Sequence, residues 1–174
     1  MTLRATPEQQ LYVIQSQGTP ITLAVFAGYI LASTVLGLTA RDAAYGSLNT
    51  GLTVLAFLAG VVNATLALGL FPWVFTWLSR RLGAPSEVGE VRTITALSLV
   101  PVILLMLLST LAGLTGPLAV LGSACALAVF VHGLALANGS SFTRALLHVL
   151  AVVGLLLLAF VVFSLLLGAL LGSR

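Results

Sequence analysis

The fold class is decided by residues 145–171, which read ALLHVLAVVGLLLLAFVVFSLLLGALL and contain no charged side chain. A helix of about 20 apolar residues, rising 1.5 Å per residue, crosses the roughly 30 Å of hydrocarbon in a bilayer. Four more charge-free runs precede this one, at residues 21–39, 52–78, 94–114 and 118–137. Thr-Gly-Pro at 115–117 separates the last two of these, because Gly and Pro together break a helix. The sequence therefore predicts five transmembrane helices.

The composition excludes a soluble globule. Of 174 residues, 60% are hydrophobic and only 6% are charged, whereas soluble domains carry about 25% charged residues because water must solvate their surface. We therefore expect an all-α integral membrane helical bundle whose main partner is the lipid bilayer. The seven basic residues, all arginine, and the four acidic residues form no basic stripe, so nucleic acid is not an expected partner.

Residues 1–20 are polar enough to remain outside the bilayer, and we predict a cytoplasmic tail with a short interfacial helix. Thr6 is the expected N-cap, Pro7 takes the first helical position, and Gln9 completes a capping box. We expect Gly-Thr-Pro at 18–20 to end this helix before the first span. The transmembrane domain then comprises residues 21–174.

The arginines predict which side of the membrane each loop occupies. Five spans place the N-terminal tail, the 79–93 loop and the 138–144 loop on one side of the membrane. That side carries five arginines and the other carries two: Arg4, Arg80, Arg81, Arg92 and Arg144, against Arg41 and Arg174. Because the side richer in positive charge remains in the cytoplasm, we predict an internal N-terminus and an external C-terminus.

The 79–93 loop is predicted to lie at the membrane interface. It carries charges of both signs, on Arg80, Arg81, Glu87, Glu90 and Arg92. Each arginine near an anionic surface contributes an attraction of about 1 kcal/mol, so partners or anionic lipids are expected to meet this loop. The second span ends just before it in an aromatic anchor of Phe71, Trp73, Phe75 and Trp77. Pro72 is expected to kink or tilt the helix there.

Small residues recur every four positions in the second span, at Ala56, Gly60 and Ala64. Such a row lets another helix approach closely, and the neighbouring Asn63 is able to hydrogen-bond across the contact. The alternative interpretation of Asn63 is a ligand or ion contact. We favour helix packing, because a single amide without a charged partner is weak evidence for transport.

His132 and His148 are the only histidines, and the predicted topology puts both near the cytoplasmic end of their spans. Two imidazoles so placed are able to share a proton or contribute to a metal site. A metal site needs three or four ligands, however, and no Cys, Asp or Glu lies close in sequence. We therefore favour interfacial polar residues over a functional histidine pair and expect no bound metal.

Enzyme motifs are absent from the sequence. It contains no G-x-S-x-G, H-E-x-x-H, P-loop or aspartate-rich metal motif. Cys125 is the only cysteine, so neither an intrachain disulfide nor a cysteine-rich metal site is possible. We predict a protein that is not an enzyme and needs no cofactor.

The chain resembles the Yip family, the Ypt-interacting-protein domain proteins, in its bacterial form. The stretch from Pro7 to Pro20 is similar to the proline-bounded lead-in before the first span of that family. LGAPSEV at 82–88, followed by Val91 and Arg92, resembles its short charged loop after the second span. ALSLVP at 96–101 aligns with the family's Gly-Tyr-Gly-x-x-Pro pattern, with the proline retained, the glycines replaced by small residues and the tyrosine absent.

The resemblance implies a non-enzymatic protein of the bacterial inner membrane that acts through helix–helix association with other membrane proteins or itself, or in membrane organisation. The Asp-Leu-x-Gly-Pro motif of eukaryotic members is missing, so small GTPases are not expected partners. On physical grounds, Pro101 frees a backbone carbonyl within the third span, and the Ser98 hydroxyl is predicted to occupy it. These two residues are expected to produce a local bend.

Two other functions are compatible with the sequence. One is a small transporter component, a substrate-capturing membrane subunit that works with a separate ATPase. It requires a polar pocket between helices, often with a sixth span, and a cytoplasmic C-terminus would favour it. The other is an accessory subunit of a larger membrane complex. The sequence does not identify a small-molecule ligand.

Overall fold

The computed structural model describes residues 6–9, 12, 18–45, 50–84, 86–112 and 115–172, and these residues form helices joined by short loops, without a strand. The helices are α1 (Gly18–Tyr45), α2 (Thr50–Thr65), a π-helical segment (Leu66–Leu70), α3 (Phe71–Arg81), α4 (Val88–Ala112), α5 (Thr115–Ala137) and α6 (Phe142–Gly172). Five stretches of the described chain are long and apolar enough to cross a membrane: Gly18–Leu38, Thr53–Arg81, Val88–Ser109, Pro117–Ala137 and Phe142–Leu165. The predictions of an all-α fold and of five spans are therefore confirmed.

The helices begin earlier than the charge-free runs predicted. The expected break at residues 18–20 is wrong, because these residues form the first turn of α1. Residues 115–117 are likewise the first turn of α5, and the connection before them lies outside the described residues. In both places the proline occupies a turn whose backbone N–H groups have no intrahelical acceptor, so its missing N–H costs no hydrogen bond.

The short N-terminal helix is described only in part. Pro7, Glu8 and Gln9 are helical, and the Thr6 N–H donates to Gln9 Oε1 at 3.0 Å while the Gln9 N–H donates to Thr6 Oγ1 at 3.4 Å. This reciprocal pair is the capping box that the sequence predicted.

Several hydroxyl groups inside the spans are satisfied within their own helices. Thr34 Oγ1 donates to Ile30 O at 2.7 Å, and Thr95 Oγ1 donates to Val91 O at 2.7 Å. Ser123 Oγ donates to Ala119 O at 2.9 Å. Because hydrocarbon offers no water as an alternative partner, these intrahelical bonds let polar residues stay in an apolar span at low cost.

The second span is interrupted by the π-helical segment immediately before Pro72. The Phe71 N–H bonds to Leu66 O, five residues earlier, instead of to the residue four earlier. Pro72 has no N–H to offer Leu68 O, and its ring crowds that carbonyl, so a wider turn relieves the conflict. The deformation expected at Pro72 thus takes the form of one extra residue in the turn.

The spans pack in the order α2, α1, α4, α5, α6, and α3 also contacts α4 and α6. The larger core cluster lies where α3, α4, α5 and α6 meet, and includes Phe75, Val91, Ile94, Leu134 and Val149. Gly133 permits the close approach of α5 to α4, since a Cβ at this position would lie 2.8 Å from Ile94 Cγ2. A smaller cluster of Val25, Leu68 and Ala96 joins α1, the second span and α4.

The loops after α3 and after α5 lie at the same end of the bundle, because Ser86 of the first is hydrogen-bonded to Asn138 of the second. The start of α1 lies there too, with Gly18 in close contact with Thr93 near the start of α4. We call this region the arginine end, since it carries Arg80, Arg81, Arg92 and Arg144. Four of the charged residues expected in the loop are helical: Arg80 and Arg81 end α3, and Glu90 and Arg92 belong to the first two turns of α4.

Candidate functional site

Two matched helix ends build the polar surface of the arginine end. Gly83 after α3 and Gly139 after α5 have φ values of 84° and 57°, a left-handed conformation that glycine adopts without strain. In each loop a backbone N–H donates a hydrogen bond to the carbonyl five residues earlier. The Ala84 N–H donates to Ser79 O and the Ser140 N–H donates to Ala135 O, both at 2.9 Å. These are Schellman caps, and they turn both loops sharply enough to lie against each other.

A side-chain hydrogen bond joins the two loops. The Ser86 hydroxyl donates to Asn138 Oδ1 at 2.9 Å, and Ser86 is fully buried. The bond occupies the oxygen of the Asn138 amide and leaves its NH2 group as a donor. Since no further hydrogen bond of this side chain is found among the described residues, that NH2 group is available to a ligand.

His148 of α6 anchors the last span to the second. Its Nε2 lies 2.9 Å from Ser79 Oγ at the end of α3, and Ser79 is fully buried. The imidazole also meets the Phe75 ring edge-on, with 6.3 Å between ring centroids. The bond satisfies two polar groups that would otherwise be costly in this apolar core.

A cavity of about 230 Å³ opens between these two contacts. Its walls come from the loop after α3, the loop after α5 and the first two turns of α6. The lining residues are Leu82, Gly83, Ala84, Asn138, Ser140, Arg144, Ala145 and His148. One side chain with a permanent positive charge therefore lines it, together with polar groups that donate hydrogen bonds.

The arginines at this end differ in their contacts. Arg80 Nε donates to Ser86 O at 3.4 Å, and the Arg81 guanidinium lies 5.6 Å from the ring centre of Trp77, a cation–π contact. The Arg144 side chain is exposed, and its guanidinium has no hydrogen bond or ion pair with any residue in the described part of the chain. Glu90 is used locally, since its Oε2 accepts the Glu87 N–H at 3.4 Å.

The small-residue row of the second span faces α1. A Cβ placed on Gly60 would lie 2.5 Å from Ser33 Oγ and 3.4 Å from Ile30 O, and one placed on Gly37 would lie 3.1 Å from the Ala56 Cβ. Ala64 is completely buried. Asn63 differs from the row, because its side chain is exposed and makes no hydrogen bond among the described residues. It therefore makes no interhelical hydrogen bond to those residues.

Ser98 does not take the position predicted for it. Its hydroxyl donates to Thr95 O at 2.8 Å, not to Leu97 O, the carbonyl that Pro101 leaves without its usual donor. A serine hydroxyl in a helix reaches the carbonyl three residues earlier, which here belongs to Thr95. Leu97 directly precedes Ser98, and its carbonyl points away along the helix. Pro101 is half-buried, and α4 remains helical through it.

The two histidines have different surroundings. His132 is exposed on α5, while His148 is bonded to Ser79. Among the described residues no group of three His, Cys, Asp or Glu side chains is placed to hold a metal ion. The sequence analysis did not predict a role in this site for Ser79, Ser86 or Asn138. The signal in the sequence that indicates the two loops is a glycine shortly after each of two helix ends.

Together, the five spans and the absence of strands in the described chain define a multi-pass helical membrane protein. Comparisons with models of known protein families, with curated proteins and with solved structures found no match to this chain. The class therefore rests on the fold itself, and the resemblance to the Yip family stays a prediction.

Proposed function

We propose that this is a non-enzymatic protein of the bacterial cytoplasmic membrane that acts by helix–helix association, with a second copy of itself or with another membrane protein, in the manner expected of the Yip family. Its N-terminus and its arginine end would face the cytoplasm, as the distribution of arginines favours. Five spans then place the C-terminus outside.

The observation that carries this proposal is the exposed amide of Asn63. Asn63 lies 14 residues before the interfacial Trp77, which is about 21 Å along the helix axis and therefore inside the hydrocarbon. An amide there has no water to bond, and pairing with another helix recovers about 0.6–2 kcal/mol. Because an amide both donates and accepts, two copies of Asn63 would satisfy each other across a two-fold axis.

The surface around Asn63 suits a close approach. Ala59 and Val62 are exposed beside it on α2, and a small residue next to the amide lets a second helix come near. The α1 helix covers the neighbouring face of α2 through Gly60, which lies three residues before Asn63 and so about 60° around the helix. The exposed amide therefore lies on a flank of α2 that α1 leaves uncovered.

Self-association is tested by replacing Asn63 with leucine and measuring energy transfer between donor- and acceptor-labelled copies in liposomes. Loss of the amide pair should weaken association about 3- to 30-fold, the equivalent of about 0.6–2 kcal/mol. Ser123→Ala is the matched control, because Ser123 is also exposed in a span but its hydroxyl already bonds to Ala119 O. Equal association of the wild type and Asn63→Leu would reject Asn63 as the contact.

Orientation is tested separately with small tags at the two ends of the chain. In inside-out vesicles the N-terminal tag should be accessible to protease and the C-terminal tag protected. Tags accessible on the same side would contradict five crossings and favour the transporter component with an ATPase partner.

A further inference from the structure

The cavity at the arginine end has the lining of an anion site. Arg144 supplies a guanidinium, Asn138 the free NH2 group of its amide, and Ser140 a hydroxyl. None of the eight lining residues is acidic. Donors without a competing carboxylate attract an anion and repel a cation.

Arg144 is the side chain best suited to hold such an anion. Its guanidinium makes no ion pair or hydrogen bond within the described chain, so binding would not first require an internal contact to break. Its position in the first turn of α6 is fixed by the bond from its N–H to Ser141 Oγ at 3.4 Å. A planar guanidinium offers paired donors that match two phosphate oxygens.

The cavity also lies at the depth of lipid headgroups. Trp73 and Trp77 on α3 are 59% and 52% exposed, as expected of aromatic rings at the membrane interface. The cavity wall begins at Leu82, one residue beyond Arg81, which contacts Trp77. At about 230 Å³ the cavity is smaller than the roughly 300–1,000 Å³ of sites for drug-sized ligands, and therefore suits one headgroup.

We propose that this cavity binds a phosphate ester, held by Arg144 with Asn138 and Ser140. The shared chemistry allows two sources, the headgroup of an anionic phospholipid or a soluble phosphate compound, and the depth of the cavity favours the lipid. The site is separate from the exposed face of α2, so it does not depend on association through Asn63.

The test is native mass spectrometry of the full chain, purified in a non-ionic detergent and titrated with phosphatidylglycerol. We expect one saturable lipid, with Arg144→Gln weakening its binding about tenfold, the usual loss for a charge-assisted hydrogen bond. Arg92→Gln is the matched control, since it removes the same charge from the same end but does not line the cavity; it should change binding less than twofold.

A second variant tests the space in the cavity independently of its charge. Ala84→Leu fills the cavity without altering the charge, and it should weaken lipid binding as Arg144→Gln does. Thermal unfolding in the same detergent identifies any variant that has lost its fold. Equal weakening by Arg144→Gln and Arg92→Gln would indicate general charge attraction and overturn the site, as would normal binding by a folded Ala84→Leu protein.

Inorganic phosphate distinguishes the two sources. If millimolar phosphate leaves the bound lipid in place, the ligand is a headgroup. If phosphate binds and displaces the lipid in the wild type but not in Arg144→Gln, the site accepts soluble phosphate compounds. Failure of both phosphatidylglycerol and phosphate to bind the wild type would refute the proposal.

Discussion

Replacement of Gly60 tests how α1 and α2 hold together. A Cβ at this position would lie 2.5 Å from Ser33 Oγ and 3.6 Å from the Ile30 Cα. The hydroxyl is able to rotate away, but it then loses its bond to Ile30 O, now 3.0 Å, at a cost of about 1 kcal/mol. Alanine recovers up to about 1 kcal/mol through its higher helix propensity, so Gly60→Ala should change stability by less than about 1 kcal/mol.

Rotation of the Ser33 hydroxyl does not make enough room for leucine at the same position. Beyond the Cβ it meets the Ile30 backbone, which cannot rotate away, so the two helices must separate. We expect Gly60→Leu to lower the free energy of unfolding by about 1–3 kcal/mol, as overpacking does in other cores. The measurement is unfolding of the purified protein by titrated sodium dodecyl sulfate, followed by circular dichroism.

A double-variant cycle with Ser33 isolates the contact. In a Ser33→Ala background the Gly60→Ala change meets no hydroxyl, so it should become neutral or stabilising by up to about 1 kcal/mol. Gly154→Leu is the control for side-chain size, because a Cβ on Gly154 meets nothing within 4 Å. If Gly60→Leu and Gly154→Leu unfold at the same detergent concentration, the packing of α1 on Gly60 is refuted.

Three further predictions concern the arginine end and are measured by the same unfolding titration. Ser79→Ala removes the partner of His148 and should cost about 1–3 kcal/mol; an unchanged midpoint would show that the bond contributes nothing. Gly139→Ala should cost about 1 kcal/mol because of its positive φ, whereas Gly89→Ala, with open space around it, should not destabilise. Thr76→Val should be neutral or stabilising, since Thr76 Oγ1 is buried without a hydrogen-bond partner among the described residues; a loss above about 1 kcal/mol would reveal a partner.

The spans were predictable because hydrocarbon imposes one strong constraint. A charge-free run of about 20 residues has few alternatives to a helix in a bilayer. The helix starts were less predictable. A first helical turn at the membrane surface tolerates charged residues and proline, which the interior of a span excludes. Glu90 and Arg92 lie within α4, and Pro117 lies in the first turn of α5.

The candidate site was not predictable for a different reason. Ser79 and His148 are 69 residues apart, and Ser86 and Asn138 are 52 apart. Nothing local in the sequence pairs them, because each contact depends on the rotation and depth of two separate helices. The sequence did indicate which loops share a side of the membrane, and in the structure the two loops meet at one end.

The π-helical segment at Leu66–Leu70 shifts the helical register between the first and the second part of the second span. One additional residue turns the chain by about 100°, so the part before the segment and the part after it need not present the same face to their neighbours. Gain or loss of a single residue there would redirect Asn63 towards or away from lipid while leaving Ser79 on its partner. A one-residue insertion there would thus change which residues of α2 face outward without rebuilding the arginine end.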